Sequence, residues 1–382
     1  MRVLLVHNNY GAHSGEESVV DLMAKMYASL GYEVEQYRKS TEAIQHNFKG
    51  KISAFVKGIF PKMNVKEFAD VFDKFKPDVV HVHNLYPFIG PAILKYCKQN
   101  GSKVIMTIHN YRLMCPTGLF MRNSRPCERC LEKGDEWSCV KYNCEHSLLK
   151  SLGYALRNRV ARRNRYYLDN IDKYCCLTHF QREKLIEAGF DAKKIEVIPN
   201  SCSNQEANLS TEIGDYIGYC GRLSEEKGID MIFEVARRNP NITFKFAGAA
   251  RTDMGDIPDN CVLLGHMSGE EFKDFIRNAR FLVMASRWYE GFPMAILDAI
   301  SFGKSVVVPR HGGFTEIVEN DKNPIGLLFK PNETDDLELK VVSLWNNMLD
   351  IAIFSSNTTL AVETKFSSDV IKERWKRVIE TY

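Results

Sequence analysis

The chain has 382 residues, 45% of them hydrophobic and 26% charged, an ordinary globular composition that excludes a disordered or fibrous chain. No apolar run reaches the roughly 20 residues of a spanning helix, and the apolar run at residues 1–7 is too short for a secretory signal, so a cytoplasmic protein is expected. The net charge of +3 hides an asymmetry: residues 1–200 hold 31 Lys and Arg against 21 Asp and Glu, and residues 201–382 hold 20 against 27, which suits the first half to an anionic partner.

Short β-rich runs recur along the chain. In the first half they fall at residues 2–6, 33–37, 78–83, 103–109, 173–178 and 195–199. In the second half they fall at 216–220, 242–247, 262–265, 281–286, 305–309 and 325–329. Many are continuously apolar, such as Val104-Ile105-Met106 and Val306-Val307-Val308, the pattern of strands buried on both faces in a parallel sheet. Stretches with helical spacing lie between them: 17–30, stopped by Gly31, then 270–278 behind Ser268 as N-cap, and an amphipathic 367–382. Strand–helix alternation throughout predicts an α/β fold. The polar, turn-rich stretch from Pro199 to Asn208 separates the two strand series and marks the expected boundary. The predicted domains are 1–203, 214–365, and a C-terminal helix, 366–382, that packs back on the first. The two Rossmann-like halves are expected to face each other across a cleft.

The second half carries the sharper chemistry. The run 216–220 passes into Gly221-Arg222, with Glu226-Lys227-Gly228 beyond it. A glycine turn between strand and helix offers backbone N–H groups to an anion, and Arg222 and Lys227 add two cations. After 281–286 come Glu290-Gly291-Phe292-Pro293 and then Asp298, and after 305–309 comes Gly312-Gly313. Carboxylates at strand ends accept hydrogen bonds from sugar hydroxyls, and a glycine pair lets backbone approach a ligand.

In this order and spacing, these motifs resemble the donor site of family-four retaining glycosyltransferases. The resemblance covers essentially the whole chain. It implies the GT-B architecture, two Rossmann-like domains, and transfer from a nucleotide-sugar donor without a catalytic metal. By the resemblance, Arg222 and Lys227 hold the diphosphate, Glu290 meets the donor sugar, and position 298 meets the ribose. That position is Asp, one methylene shorter than the family's usual Glu. Gly11 and Gly15 resemble the family's N-terminal glycine-rich loop, and His109 resembles the histidine that contacts the donor sugar. Gly221, Gly312 and Gly313 complete the donor-binding set. The acceptor implied is a saccharide or lipid-linked saccharide in cell-surface polysaccharide synthesis. A sugar-nucleotide epimerase of the same architecture is the alternative enzyme.

Eleven cysteines without a signal sequence argue against a disulfide framework. Five of them, Cys115, Cys127, Cys130, Cys139 and Cys144, crowd into a polar stretch, a spacing that suggests a structural zinc. Cys127, Cys130, Cys139 and Cys144 are the expected ligands, with Cys115 as the substitute. His81 and His83 share a strand face but lack an evident third ligand and read as structural or cleft-lining. Two further stretches suit an anionic membrane surface: Leu148, Leu149, Leu152 and Leu156 among Arg157, Arg159, Arg162, Arg163 and Arg165, and Ile52, Phe55, Val56 and Ile59 among Lys49, Lys51, Lys57 and Lys62. Peripheral attachment at the inner membrane face is expected. A nucleic-acid-binding module would use the same basic half, but the basic runs lack interleaved aromatic platforms, so no nucleic-acid partner is expected.

Overall fold

A computed structural model describes residues 1–10, 15–41, 48–202, 213–250, 254–320 and 322–381. The chain divides into two compact units. The first contains Met1–Phe120, Glu128–Ile198 and Arg374–Tyr382, and the second Met121–Cys127 and Pro199–Glu373. Most of the expected boundary stretch, residues 203–208, lies outside the described residues.

The first unit is built on β1 (Arg2–Asn9), β2 (Glu33–Ser40), β3 (Val79–Val82) and β4 (Lys103–Ile108). The second unit contributes the small hairpin β5 (Met121–Arg122) and β6 (Arg125–Pro126), and β7 (Lys173–Cys176) and β8 (Ile195–Val197) return to the first. The first unit's sheet runs β2-β1-β3-β4-β7-β8, parallel throughout. Its central strands are sealed on both faces: Val3, Leu4, Leu5, Val6, Val80 and Ile105 are buried. Edge strand β2 keeps Glu33, Glu35 and Gln36 exposed, charge that discourages pairing with another chain. The helix Gly15–Ser29 ends before Gly31, which takes φ +81°. Trp375, near the end of the chain, buries its ring 4.8 Å from that of His81.

The second unit repeats the layout. Its strands are β9 (Tyr216–Cys220), β10 (Thr243–Ala247), β11 (Cys261–Gly265), β12 (Phe281–Val283), β13 (Val306–Pro309) and β14 (Gly326–Phe329). They form one parallel sheet in the order β11-β10-β9-β12-β13-β14. In both sheets the order reverses beside the first strand, and such reversals are where open α/β sheets bind ligands, outside the carboxyl ends of the strands. Ser268 stands at the N-cap of the helix Gly269–Arg277, but its side chain makes no capping bond. The hairpin β5–β6 is not evident in the sequence, because its strands are two residues each. Its turn residues Asn123 and Ser124 take φ of 50° and 55°, the positive pair of a type I′ turn. Ser124 Oγ donates to Glu225.

Candidate functional site

The ends of β9, β12 and β13 gather most of the second-half candidates. After β9 the chain passes through Gly221 and Arg222, both exposed, into the short turn Glu225–Lys227. The turn closes on Gly228 at φ +66°, where a Cβ would stand 2.1 Å from the carbonyl oxygen of Ala285. Only glycine fits there, and the close approach sets Lys227 beside the segment that follows β12. Lys227 Nζ donates to Glu290 Oε1, and the same oxygen accepts from Ser286 Oγ at 2.8 Å and Trp288 Nε1 at 3.0 Å. Lys227 Nζ also lies 5.3 Å from the centre of the Trp288 ring. Glu290 is thus a buried carboxylate with its charge met by an ion pair, the condition under which a buried charge is tolerated. Arg222 lies 3.3 Å from Glu226 on the rim.

The glycine pair packs on the same acid. Gly313 N–H donates to the Glu290 carbonyl at 3.0 Å. Gly312, at φ +57°, leaves a Cβ position only 3.1 Å from Tyr289 Cα. Asp298 lies on the helix Met294–Ser301 and is partly buried. Burial pushes its carboxyl up to about 7, and its charge is felt by Cys220 at the end of β9. The structure therefore brings Lys227 onto the Glu290 carboxylate and Gly312 and Gly313 against the backbone of Tyr289 and Glu290, with Asp298 within electrostatic reach of the β9 end.

In the first unit, His109 follows β4, and its Nε2 lies 2.8 Å from Nδ1 of His83, with the rings stacked at 5.1 Å. Burial lowers the pKa of His109 to about 3 and that of His83 well below the usual value, so both rings are neutral. One ring must donate to the other. Among the described residues His83 Nε2 is buried without a partner, and an orphaned buried N–H is rarer than an orphaned acceptor. The proton is therefore assigned to His83 Nδ1, which donates to His109 Nε2 and leaves His109 carrying its hydrogen on Nδ1. His81 is bonded at both ring nitrogens. Its Nδ1 lies 2.8 Å from the Tyr27 hydroxyl and its Nε2 2.8 Å from Thr107 Oγ1, which makes it a satisfied core histidine.

Nearby, Tyr10 O–H donates to Glu16 Oε2 at 2.9 Å, and burial raises the Glu16 pKa. Arg112 Nη1 donates to Asn84 Oδ1 at 2.7 Å, and a small cavity is lined by Glu16, His83, His109 and Arg112. Gly15 opens the helix that carries Glu16 and Glu17 in its first turn; Gly11 lies outside the described residues. That helix N-terminus already has carboxylates to complement its dipole.

The description "Glycosyltransferase Family 4" matches residues 13–203, and "Glycosyl transferases group 1" matches residues 203–358. The chain belongs to the family-four glycosyltransferases. A 42.6 kDa protein in the cps region of Klebsiella pneumoniae is 29% identical over 296 residues, 73% of this chain and 72% of that protein. The amylovoran biosynthesis glycosyltransferase AmsK of Erwinia amylovora is 24% identical over 225 residues, 53% of this chain and 55% of its own. Among solved structures, Anabaena HepE in complex with UDP aligns over 100% of both chains with a TM-score of 0.66 at 15% identity, a likeness of fold. The fold is GT-B.

Cys139 and Cys144 meet: their thiols are hydrogen-bonded, which with burial pushes the Cys139 thiol far up. Cys115 and Cys139 are buried, while Cys127, Cys130 and Cys144 are half-exposed. Among the described residues, no group of three or more His, Cys, Asp or Glu side chains is placed to hold a metal ion. The expected zinc set of Cys127, Cys130, Cys139 and Cys144, with Cys115 in reserve, is therefore not supported by the described side chains. Two short helices, Arg129–Lys133 and Trp137–Lys141, carry Cys130 and Cys139, and Cys139 also feels the charges of Cys115 and Cys130.

Several site residues do not stand out in the sequence. Ser286 and Trp288 precede Glu290 in the same turn, and Glu226 follows Arg222 by four residues; His83, singled out only as structural or cleft-lining, lies beside His109 because β3 and β4 are parallel neighbours. The last could have been read from two histidines at the ends of consecutive strands. The indole contact could not, because it depends on how the turn folds back.

Proposed function

We propose that this glycosyltransferase is a retaining enzyme that transfers a sugar from a nucleotide-sugar donor to a saccharide or lipid-linked saccharide in cell-surface polysaccharide synthesis. The cluster of Lys227, Ser286 and Trp288 on Glu290 carries the reading. In it the Glu290 carboxylate is pre-positioned at the strand ends and carries a cation whose partner can be exchanged. On this reading Lys227 and Arg222 turn from Glu290 and Glu226 to the diphosphate and stabilise its charge as the glycosidic bond breaks, an electrostatic contribution that is often the largest in such reactions. Glu290 then orients the donor sugar by accepting from its hydroxyls, Asp298 accepts from the ribose, and His109 offers its Nδ1–H to a sugar oxygen. The substitution proceeds on the face of the leaving diphosphate, whose oxygen takes the proton of the attacking acceptor hydroxyl. The products are a glycoside of unchanged anomeric configuration and a nucleoside diphosphate.

The relatives in a cps region and in amylovoran biosynthesis support the polysaccharide setting, and the UDP in the Anabaena structure supports a uridine nucleotide among the first donors to try. The test is a thermal-shift screen of nucleotide sugars followed by turnover with saccharide acceptors and NMR of the product anomer. A ligand at about 100 times its dissociation constant adds about 2.7 kcal/mol, a readable shift. An inverted anomer refutes retention. Release of nucleoside diphosphate with an altered free sugar and no acceptor product assigns an epimerase instead.

A further inference from the structure

The helix Leu148–Arg163 of the first unit presents an uncovered apolar face. Leu148 and Leu149 are 65% and 66% exposed, and Leu152 is 36% exposed. Elsewhere along its length it is seated in the unit through Ser151, Gly153, Ala155 and Ala161, all buried. The helix carries five basic residues and no acidic one. Two of the cations are used internally. Arg157 is buried between the rings of Tyr86 and Tyr154 and donates to the Pro116 carbonyl, and Arg162 pairs with Glu136. Lys150, Arg159 and Arg163 form no ion pair within 4.0 Å among the described residues. Arg159 lies over the ring of Trp137, itself 41% exposed.

The neighbouring helix Phe48–Ile59 packs against this one through Phe55, whose ring would stand 2.2 Å from a Cβ on Gly153. Its expected surface stripe therefore turns inward: Ile59 is buried and Phe55 is half-buried, while the Ile52 side chain lies outside the described residues. What this region does expose comes just after the helix. Phe60 is 57% and Met63 61% exposed, beside exposed Lys62 and Lys66. Two adjoining elements of one unit thus carry exposed large apolar side chains among lysines and arginines.

We infer that this face of the first unit docks on an anionic lipid bilayer, with Leu148, Leu149 and Leu152 entering the headgroup boundary and Lys150, Arg159 and Arg163 meeting lipid phosphates. Apolar and basic side chains together are the requirement for interfacial binding. A second copy is the poorer occupant, because a twofold contact through this face would set its cations against themselves. Nucleic acid would give exposed leucines nothing to bury against. The inference does not depend on the donor-site reading: a membrane-docked transferase with a different donor would show the same face.

The test is co-sedimentation of the full chain with vesicles of phosphatidylcholine alone or with added phosphatidylglycerol. Binding is expected only to the anionic vesicles and is weakened by salt. Each Lys or Arg reversed should weaken it by about fivefold or more, so Lys150→Glu with Arg163→Glu should abolish it at low micromolar lipid. Leu148→Ser with Leu149→Ser should weaken it while leaving thermal stability and nucleotide-sugar binding unchanged, since both side chains are exposed. Wild-type protein that ignores anionic vesicles, or leucine and charge variants that bind as wild type, overturns the inference. So does a wild-type dimer in light scattering that the leucine variant converts to a monomer, which assigns the face to a second copy.

Discussion

Asp298 offers a measurement in which binding and stability must move in opposite directions. Burial raises its carboxyl from 3.8 to about 7. As the proposed ribose acceptor it must be ionised, because only the carboxylate accepts from both hydroxyls of the diol. A group of pKa about 7 is ionised to about one-tenth at pH 6, half at pH 7 and nine-tenths at pH 8. Nucleotide-sugar affinity should therefore rise about tenfold from pH 6 to pH 8. A nucleotide sugar suits the titration because its diphosphate has no proton to lose in that range. The buried histidines do not interfere: His109 and His83 are held neutral by burial.

Stability runs the other way. Between about pH 4 and pH 7 the folded protein keeps a proton that the unfolded chain gives up, so stability falls as pH rises through that window. At about 1.4 kcal/mol per tenfold, the ionised carboxylate costs the empty fold on the order of 4 kcal/mol at pH 8 as a ceiling. Asp298→Asn should raise the Tm at pH 8 and not at pH 3.5. It should also flatten the pH dependence of binding and weaken the donor roughly 10- to 150-fold at pH 8, the loss of one charged hydrogen bond. Calorimetric titration at the three pH values and melting curves of both proteins decide it. Affinity that is level from pH 6 to pH 8 in the wild type, or a pH slope that survives in the variant, refutes the assignment.

The remaining expectations can be checked with the same protein. Lys227→Ala should cut turnover by about 10²-fold or more with the fold intact; near wild-type rates with a confirmed donor would remove Lys227 from the chemistry. Glu226→Gln should tighten nucleoside diphosphate binding, because it releases Arg222 from its 3.3 Å partner, and titration reads the sign directly. His83→Asn keeps an N–H near the place of Nδ1 and should retain most activity, whereas His83→Gln should lose kcat; equal loss in both would mean that His83 only fills space. Gly228→Ala forces a Cβ to within 2.1 Å of the Ala285 oxygen at positive φ and should lower stability by several kcal/mol, read by chemical denaturation.

The sheets were legible because their strands obey a simple rule. A strand sealed on both faces needs an unbroken apolar run, and Val104-Ile105-Met106 and Val306-Val307-Val308 are such runs, each found buried in a parallel ladder. The hairpin at Met121–Pro126 obeys no such rule, since two-residue strands bury nothing of their own. The candidate site divides in the same way. Glu290, Lys227 and the pair Gly312-Gly313 could be placed together from their positions after strands, because chain order fixes which strand end they reach. Ser286 and Trp288 could not, because their bonds to Glu290 depend on the fold of one turn. The basic stretch after Leu148 shows the limit of composition: charge count alone cannot tell Arg157, buried between two tyrosine rings, from exposed Arg163.

The pairing of Lys227 with Glu290 and of Arg222 with Glu226 bears on how a diphosphate is received. A buried carboxylate left unpaired beside the largely buried Lys227 would carry a desolvation cost. In the empty protein these charges satisfy one another, so the donor meets a site of low net charge. On the proposed function, binding exchanges partners: Lys227 and Arg222 pass from their carboxylates to phosphate, and Glu290 passes from Lys227 to a sugar hydroxyl. The exchange needs both halves of the donor. A diphosphate alone takes the cation and strands the Glu290 carboxylate with Ser286 and Trp288 as its donors; a sugar alone offers hydroxyls but cannot draw Lys227 away. On that reading only a molecule that presents phosphate and sugar together leaves both Lys227 and Glu290 partnered. On the proposed function, the contact that makes the empty site stable should therefore also favour the intact nucleotide sugar over either of its parts, which titration of all three ligands checks.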